Sequence, residues 1–167
     1  MLLRDLILEE HSKTQTNKII DWVGANKQRF DELMHLFLGD EYRVTQRAGW
    51  PLSYIAIQYP ELVKDHLQKI VHNLNRPKLH DAVKRNTLRI LQHINIPEAL
   101  QGELMDACFK YIESPTEAVA VKAFSLTILH NLSTQYSEIL PEIKTIVTAQ
   151  IEYQTAAFKS RAKVFLK

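Results

Sequence analysis

VTQRAGWPLSYI at 44–55, VKRNTLRILQHI at 83–94, VKAFSLTILHNL at 121–132 and FKSRAKVFL at 158–166 are four versions of one helical pattern. Their first residues, Val44, Val83, Val121 and Phe158, lie 39, 38 and 37 residues apart. A period near 40 residues with helical patterning predicts stacked helix pairs, a quasi-one-dimensional solenoid. Four columns stay apolar or small. They are Val44, Val83, Val121, Phe158; then Ala48, Thr87, Ser125, Ala162; then Leu52, Leu91, Leu129, Leu166; and last Ile55, Ile94, Leu132. Offsets of 4, 8 and 11 put all four columns on one helix face. The small second column lets neighbouring helices approach closely, which is a packing requirement.

Working outward, each pattern is preceded by a second helical stretch. These stretches begin near Tyr59-Pro60-Glu61, Ile96-Pro97-Glu98 and Tyr136-Ser137-Glu138. Proline suits a helix's first turn, where its missing N–H costs nothing, and a following Glu complements the positive end of the helix dipole. The predicted apolar faces are Leu67, Ile70, Val71, Leu74; then Leu104, Cys108, Tyr111, Ile112; then Ile143, Ile146, Val147, Ile151. At the start of the chain, Leu2, Leu3, Leu6 and Ile7 predict a short helix. Thr16 is read as the N-cap of a second, with Ile19, Ile20 and Val23 inward. Asn26 is read as the cap of a third, with Phe30, Leu33, Met34 and Phe37 at i, i+3, i+4 and i+7. Gly39 ends that helix and Asp40 is read as the cap of the next. Pro51 falls inside the first 44–55 pattern, where it removes one hydrogen bond and either reshapes the helix near Trp50 or is tolerated.

The pattern Val-Lys/Arg-x-x-small-x-x-x-Leu appears as Val83-Lys84 to Leu91, Val121-Lys122 to Leu129 and Phe158-Lys159 to Leu166. On these residues the chain resembles HEAT repeats over 26–167, with 1–25 as a degenerate N-terminal cap pair and 1–167 as a single repeat domain. The resemblance implies an all-α, right-handed α-α superhelix of about five helix pairs. It also implies that Lys84, Lys122 and Lys159 form a ladder to acidic groups in neighbouring repeats. The stretch DEYRVTQRAGWPLSYIA at 40–56 is also similar to the HEAT-like repeats of bacterial DNA alkylation repair proteins. Those proteins cradle DNA in a basic groove and use a Trp followed one helical turn later by an Asp. Here Trp50 is followed at that spacing by Tyr54.

In solenoids of this kind the second helices line the inner, concave face. Residues at offsets 2, 3, 6, 9 and 10 then point outward or lie at the boundary: Gln46, Arg47, Trp50, Ser53, Tyr54; Arg85, Asn86, Arg89, Gln92, His93; Ala123, Phe124, Thr127, His130, Asn131. The candidate binding residues are Arg47, Trp50, Tyr54, Arg85, Arg89, His93, His130 and Asn131. Guanidinium and aromatic groups in this mixture suit phosphate contacts, stacking or an acidic peptide. Each has a plainer reading beside it. Arg47 and Trp50 can stack on each other, Arg85 and Arg89 can be a solvated face, and His93 and His130 can be boundary polar groups.

Composition limits the alternatives. With 46% apolar and 24% charged residues the chain is neither disordered nor a membrane protein, and 4 Gly are too few for a loop-rich or β-rich fold. MLLRDLILEEH lacks a basic n-region and a cleavage site, so it reads as a helix and not a signal peptide. The single Cys108 excludes an internal disulfide and suits a reducing cytoplasm. It is read as a core residue. Net charge +2 is only mildly basic. The seven His residues fit no metal spacing, and no Gly-rich phosphate loop or Gly-x-Ser-x-Gly occurs. The expectation is a cytoplasmic, non-catalytic binding protein with no cofactor and no metal, whose partner is a protein or peptide. Nucleic-acid binding is the alternative, and an alkylpurine glycosylase is the third reading. The sequence sets no oligomeric state.

Overall fold

The computed structural model describes residues 2–167, which form ten α-helices and no strand among the described residues. Two compact units divide the chain, Met1–Ile94 and Asn95–Lys167.

The first unit holds α1 (Leu3–Glu9), α2 (Lys13–Val23), α3 (Lys27–Phe37), α4 (Tyr42–Gln58), α5 (Leu67–Asn73) and α6 (Asp81–Leu91). Helix α4 is its centre, packing against α1, α2, α3 and α6. The reason is its sequence: Val44, Ala48, Leu52 and Ile55 are all buried, and so are Phe30, Leu33, Met34 and Phe37 of α3. Asn26 caps α3 as predicted, its Oδ1 accepting from the Arg29 N–H at 3.0 Å. The start of α4 is tied back to α1 by a bidentate pair, with Arg4 Nε 2.9 Å and Nη2 2.7 Å from the two Glu41 oxygens.

Two predicted caps are corrected. Ser12, not Thr16, opens α2: its extended backbone lets its hydroxyl accept from the Gln15 N–H at 3.1 Å. Thr16 lies one turn inside, donating its hydroxyl to the Ser12 carbonyl at 2.9 Å. Glu41, not Asp40, holds the cap position of α4, and it makes no side-chain capping bond. Asp40 instead accepts from Arg76 Nη2 at 2.6 Å. Helix α4 continues across Pro51 as one element, so the missing N–H is tolerated.

The second unit holds α7 (Glu98–Glu113), α8 (Val119–Ser133), α9 (Leu140–Gln150) and α10 (Ala156–Ala162). Helix α7 packs on α8, and α8 on α10. Leu104, Cys108, Tyr111 and Ile112 are buried. Pro97 sits at the N-cap of α7 with Glu98 in the first turn. The other two starts differ from expectation. Pro60 and Ser137 open 3₁₀ turns (Pro60–Leu62 and Ser137–Ile139), and the α-helices begin only at Leu67 and Leu140. Ile146 and Ile151 are half-buried rather than core. The fourth copy also slips. Helix α10 stops at Ala162 and tightens into a 3₁₀ turn, Lys163–Phe165. The position seven residues into the pattern is inward in all four copies, as Pro51, Ile90, Ile128 and Phe165. Only Leu166 departs from its column: it lies past the end of the 3₁₀ turn and is 39% exposed.

The small column behaves differently in different copies. Ser125 is fully buried and returns its hydroxyl to the Val121 carbonyl at 2.7 Å. Thr87 is equally buried, but its Oγ1 has no hydrogen-bond partner among the described residues. An unpaired buried hydroxyl costs more than it contributes, and valine has the same shape without the oxygen. Thr87→Val should therefore raise stability by about 1 kcal/mol, seen as a higher thermal midpoint by circular dichroism. A lower midpoint would show that the hydroxyl has a partner after all.

Candidate functional site

Helices α4 and α6 place four of the predicted residues around one open cleft. It encloses about 440 Å³ and is lined by His11, Gln46, Trp50, Tyr54, Arg85, Asn86 and Arg89. Trp50 and Tyr54 follow one another by a helical turn on α4, with ring centroids 6.3 Å apart and tilted by 41°. Arg85 and Arg89 do the same on α6. The Arg89 guanidinium lies 4.9 Å from the centre of the Tyr54 ring, within cation–π range. Tyr54 is 42% exposed. Hydrogen bonding from the Trp50 side chain first, and from Arg89 second, holds its phenol below the usual tyrosine value.

The remaining candidates lie elsewhere. Arg47 turns away from the cleft and donates to the Leu8 carbonyl at 2.9 Å, so it ties α4 to α1. The stacking of Arg89 on Tyr54 takes the place in the cleft expected of Arg47 with Trp50. His93 is exposed just beyond the end of α6. His130 and Asn131 are exposed near the end of α8 in the second unit, where His130 meets Phe165 edge-on with centroids 5.8 Å apart. Ser53, Asn86 and Ala123, read as outward or boundary positions, are buried. Ser53 donates to the Trp50 carbonyl at 2.8 Å, and Asn86 Nδ2 donates to the Ala82 carbonyl at 2.8 Å.

His11 was missed because it comes from outside the repeated helices. It stands in the short link between α1 and α2, next to the cap Ser12, and column-by-column comparison of the repeats has no place for it. The mistaken cap at Thr16 hid the one local signal, since a helix starting after Ser12 brings His11 to the helix mouth.

One rung expected of the lysine ladder, Lys122, is corrected. Lys122 is only 3% exposed, and its Nζ donates to the Gln150 amide oxygen at 2.7 Å rather than to an acid. It lies 5.9 Å from the Phe158 ring centre. Burial pulls its pKa down, and the nearby Glu117 charge only partly opposes this. Gln150 holds the position by donating its own Nε2 to the Ile112 carbonyl at 2.8 Å. Cys108 is fully buried, and burial pushes its thiol up to about 12, so it is not a thiolate near neutral pH. Among the described residues no group of three His, Cys, Asp or Glu is arranged to hold a metal ion, and no helix is long and apolar enough to cross a membrane.

A family model described as a HEAT repeat domain matches residues 3–167. No curated protein and no solved structure matches the chain.

Proposed function

Because the chain belongs to the HEAT repeat family, we propose that it is a non-catalytic binding scaffold whose working surface is the α4–α6 cleft and whose ligand is a segment of another protein. The observation that carries this reading is the cleft itself. Trp50 and Tyr54 offer flat, rigid contact area, and Arg85 and Arg89 stand beside them, in an open depression of about 440 Å³. Aromatic and Arg side chains grouped in one depression are the residue types that dominate binding energy at protein interfaces. HEAT repeats generally mediate protein interactions, which agrees with it. The family match runs unbroken over 3–167, and on that ground residues 1–167 are taken to act as one repeat domain. The single, sealed Cys108 fits a reducing cytoplasm.

Affinity capture from the native lysate tests the reading. The wild-type chain is compared with Trp50→Ala/Tyr54→Ala and with Tyr54→Ala alone, the last altering only a partly exposed ring. The expected result is a set of proteins retained by wild type and lost from both variants, with the fold of each checked by circular dichroism. Identical sets for wild type and variants would overturn it.

A further inference from the structure

The cleft also carries a chemical bias that narrows its ligand, and the bias follows from counting donors and acceptors. No Asp or Glu lines it. The acids nearest the start of α4 are engaged elsewhere, Asp40 with Arg76 at 2.6 Å and Glu41 with Arg4 at 2.7 Å. Guanidinium groups donate and never accept. Arg85 is exposed at the cleft, and Arg89, stacked on the Tyr54 ring, keeps N–H groups at its edge. Tyr54 is 42% exposed at the cleft, and its hydroxyl can donate as well as accept. Asn86 Nδ2 gives one of its two hydrogens to the Ala82 carbonyl. What remains for a ligand is a set of donors beside the Trp50 ring, with the Gln46 and Asn86 amide oxygens as side-chain acceptors and the His11 ring at the edge.

Resting on the binding reading above, we propose that the α4–α6 cleft takes an acidic segment of a partner protein, its carboxylates on Arg85, Arg89 and the Tyr54 hydroxyl and an apolar side chain of the segment on Trp50. Charge complementarity selects this occupant. Two guanidiniums without an acid in their own cleft are matched by two carboxylates in charge-assisted, bidentate pairs. A nucleic acid is a poorer match. It presents a continuous line of phosphates, and a site with two guanidiniums on a chain of net charge +2 covers few of them.

Fluorescence anisotropy separates the possibilities. Three labelled probes are titrated: a short glutamate-rich peptide carrying one phenylalanine, the same peptide with glutamine for glutamate, and a duplex DNA. The glutamate peptide should bind at least ~10-fold tighter than its glutamine counterpart and weaken as salt rises from about 50 to about 300 mM. Arg85→Gln/Arg89→Gln should abolish that preference while leaving the thermal midpoint near wild type. Tyr54→Phe, which keeps the ring and removes only the donor, should reduce binding several-fold. Equal binding of the two peptides would overturn the acidic assignment, as would a glutamate preference that survives in the double Arg variant. So would tighter binding of the duplex with a salt slope of many charges, which would place a nucleic acid in the cleft. If capture from the lysate still depends on Tyr54 while the peptides bind equally, the scaffold stands and only the acidic ligand falls.

Discussion

Phe158→Ala should cost the second unit about 3–5 kcal/mol, the range for truncating a fully buried aromatic ring. Phe158 is completely buried, among the largest side chains that are. It sits on a helix of only seven residues, α10. Isolated helices that short do not persist in water, so α10 is held by what it packs against, namely α8. Three inward residues do that holding, Phe158, Ala162 and Phe165, and of the two rings Phe158 is the completely buried one. Removing its ring also takes away the aromatic face that the Lys122 ammonium lies over, 5.9 Å from the ring centre. Urea unfolding followed by circular dichroism measures the loss, and hydrogen exchange localises it, with faster exchange expected first in α10 and the facing part of α8. Phe158→Leu, which keeps most of the volume, should cost a minor part of this. A loss below about 1 kcal/mol for the alanine variant would mean that α10 is anchored by Phe165 and Ala162 instead.

The architecture was legible because the repeat forces the same residue into the same packing position. Val44, Val83, Val121 and Phe158 are all buried, and so are Ala48, Thr87, Ser125 and Ala162. A column constant in four copies has one physical cause, and period and phase follow from it. The failures sit where a local geometry breaks the period. The pattern predicts Leu166 inward by extending the α-helix past Ala162, where the chain instead tightens into a 3₁₀ turn that ends at Phe165 and leaves Leu166 exposed. Pro60-Glu61 and Ser137-Glu138 predict helix starts because proline and a following Glu suit a first turn. Both open a 3₁₀ turn first, which side-chain type does not distinguish from a first α-turn.

The site was half legible for a related reason. Helical phase placed Trp50, Tyr54, Arg85 and Arg89 on the non-core side of α4 and α6, and adjacent copies of one column become neighbours in space when those helices pack. Phase does not say which way a long side chain bends. Arg47 belongs to the same face as Trp50, yet it reaches back to a backbone acceptor on α1, a partner that lies outside the period. The same limit applies to Lys122, whose acceptor is an amide on α9 and not the acid that the ladder pattern suggests.

Gly49→Ala should destabilise the first unit by about 2 kcal/mol, the size of a modest overpacking strain, although in an open helix the same change is favourable by about 1 kcal/mol. The reversal comes from the approach of α6 to α4. A methyl carbon built at Gly49 would stand 2.5 Å from Asn86 Nδ2, 3.0 Å from Asn86 Cγ and 3.2 Å from Phe37 Cε2. None of these can retreat easily. Asn86 is buried and pinned to the Ala82 carbonyl at 2.8 Å, and Phe37 is completely buried in the α3–α4 core. A shift of α6 is the remaining relief. That shift moves Arg85 and Arg89 relative to Trp50 and Tyr54, so the alanine variant should also bind the glutamate peptide more weakly. Asn86→Ala removes the atoms in the closest conflict, and its lost hydrogen bond is to a carbonyl within its own helix. The Gly49→Ala/Asn86→Ala chain should therefore regain most of the stability and much of the binding, a coupling that a double-mutant cycle reads directly. A thermal midpoint for Gly49→Ala at or above wild type would show that α6 moves away without cost. The separation of the two helices would then be soft rather than set by the missing side chain at Gly49.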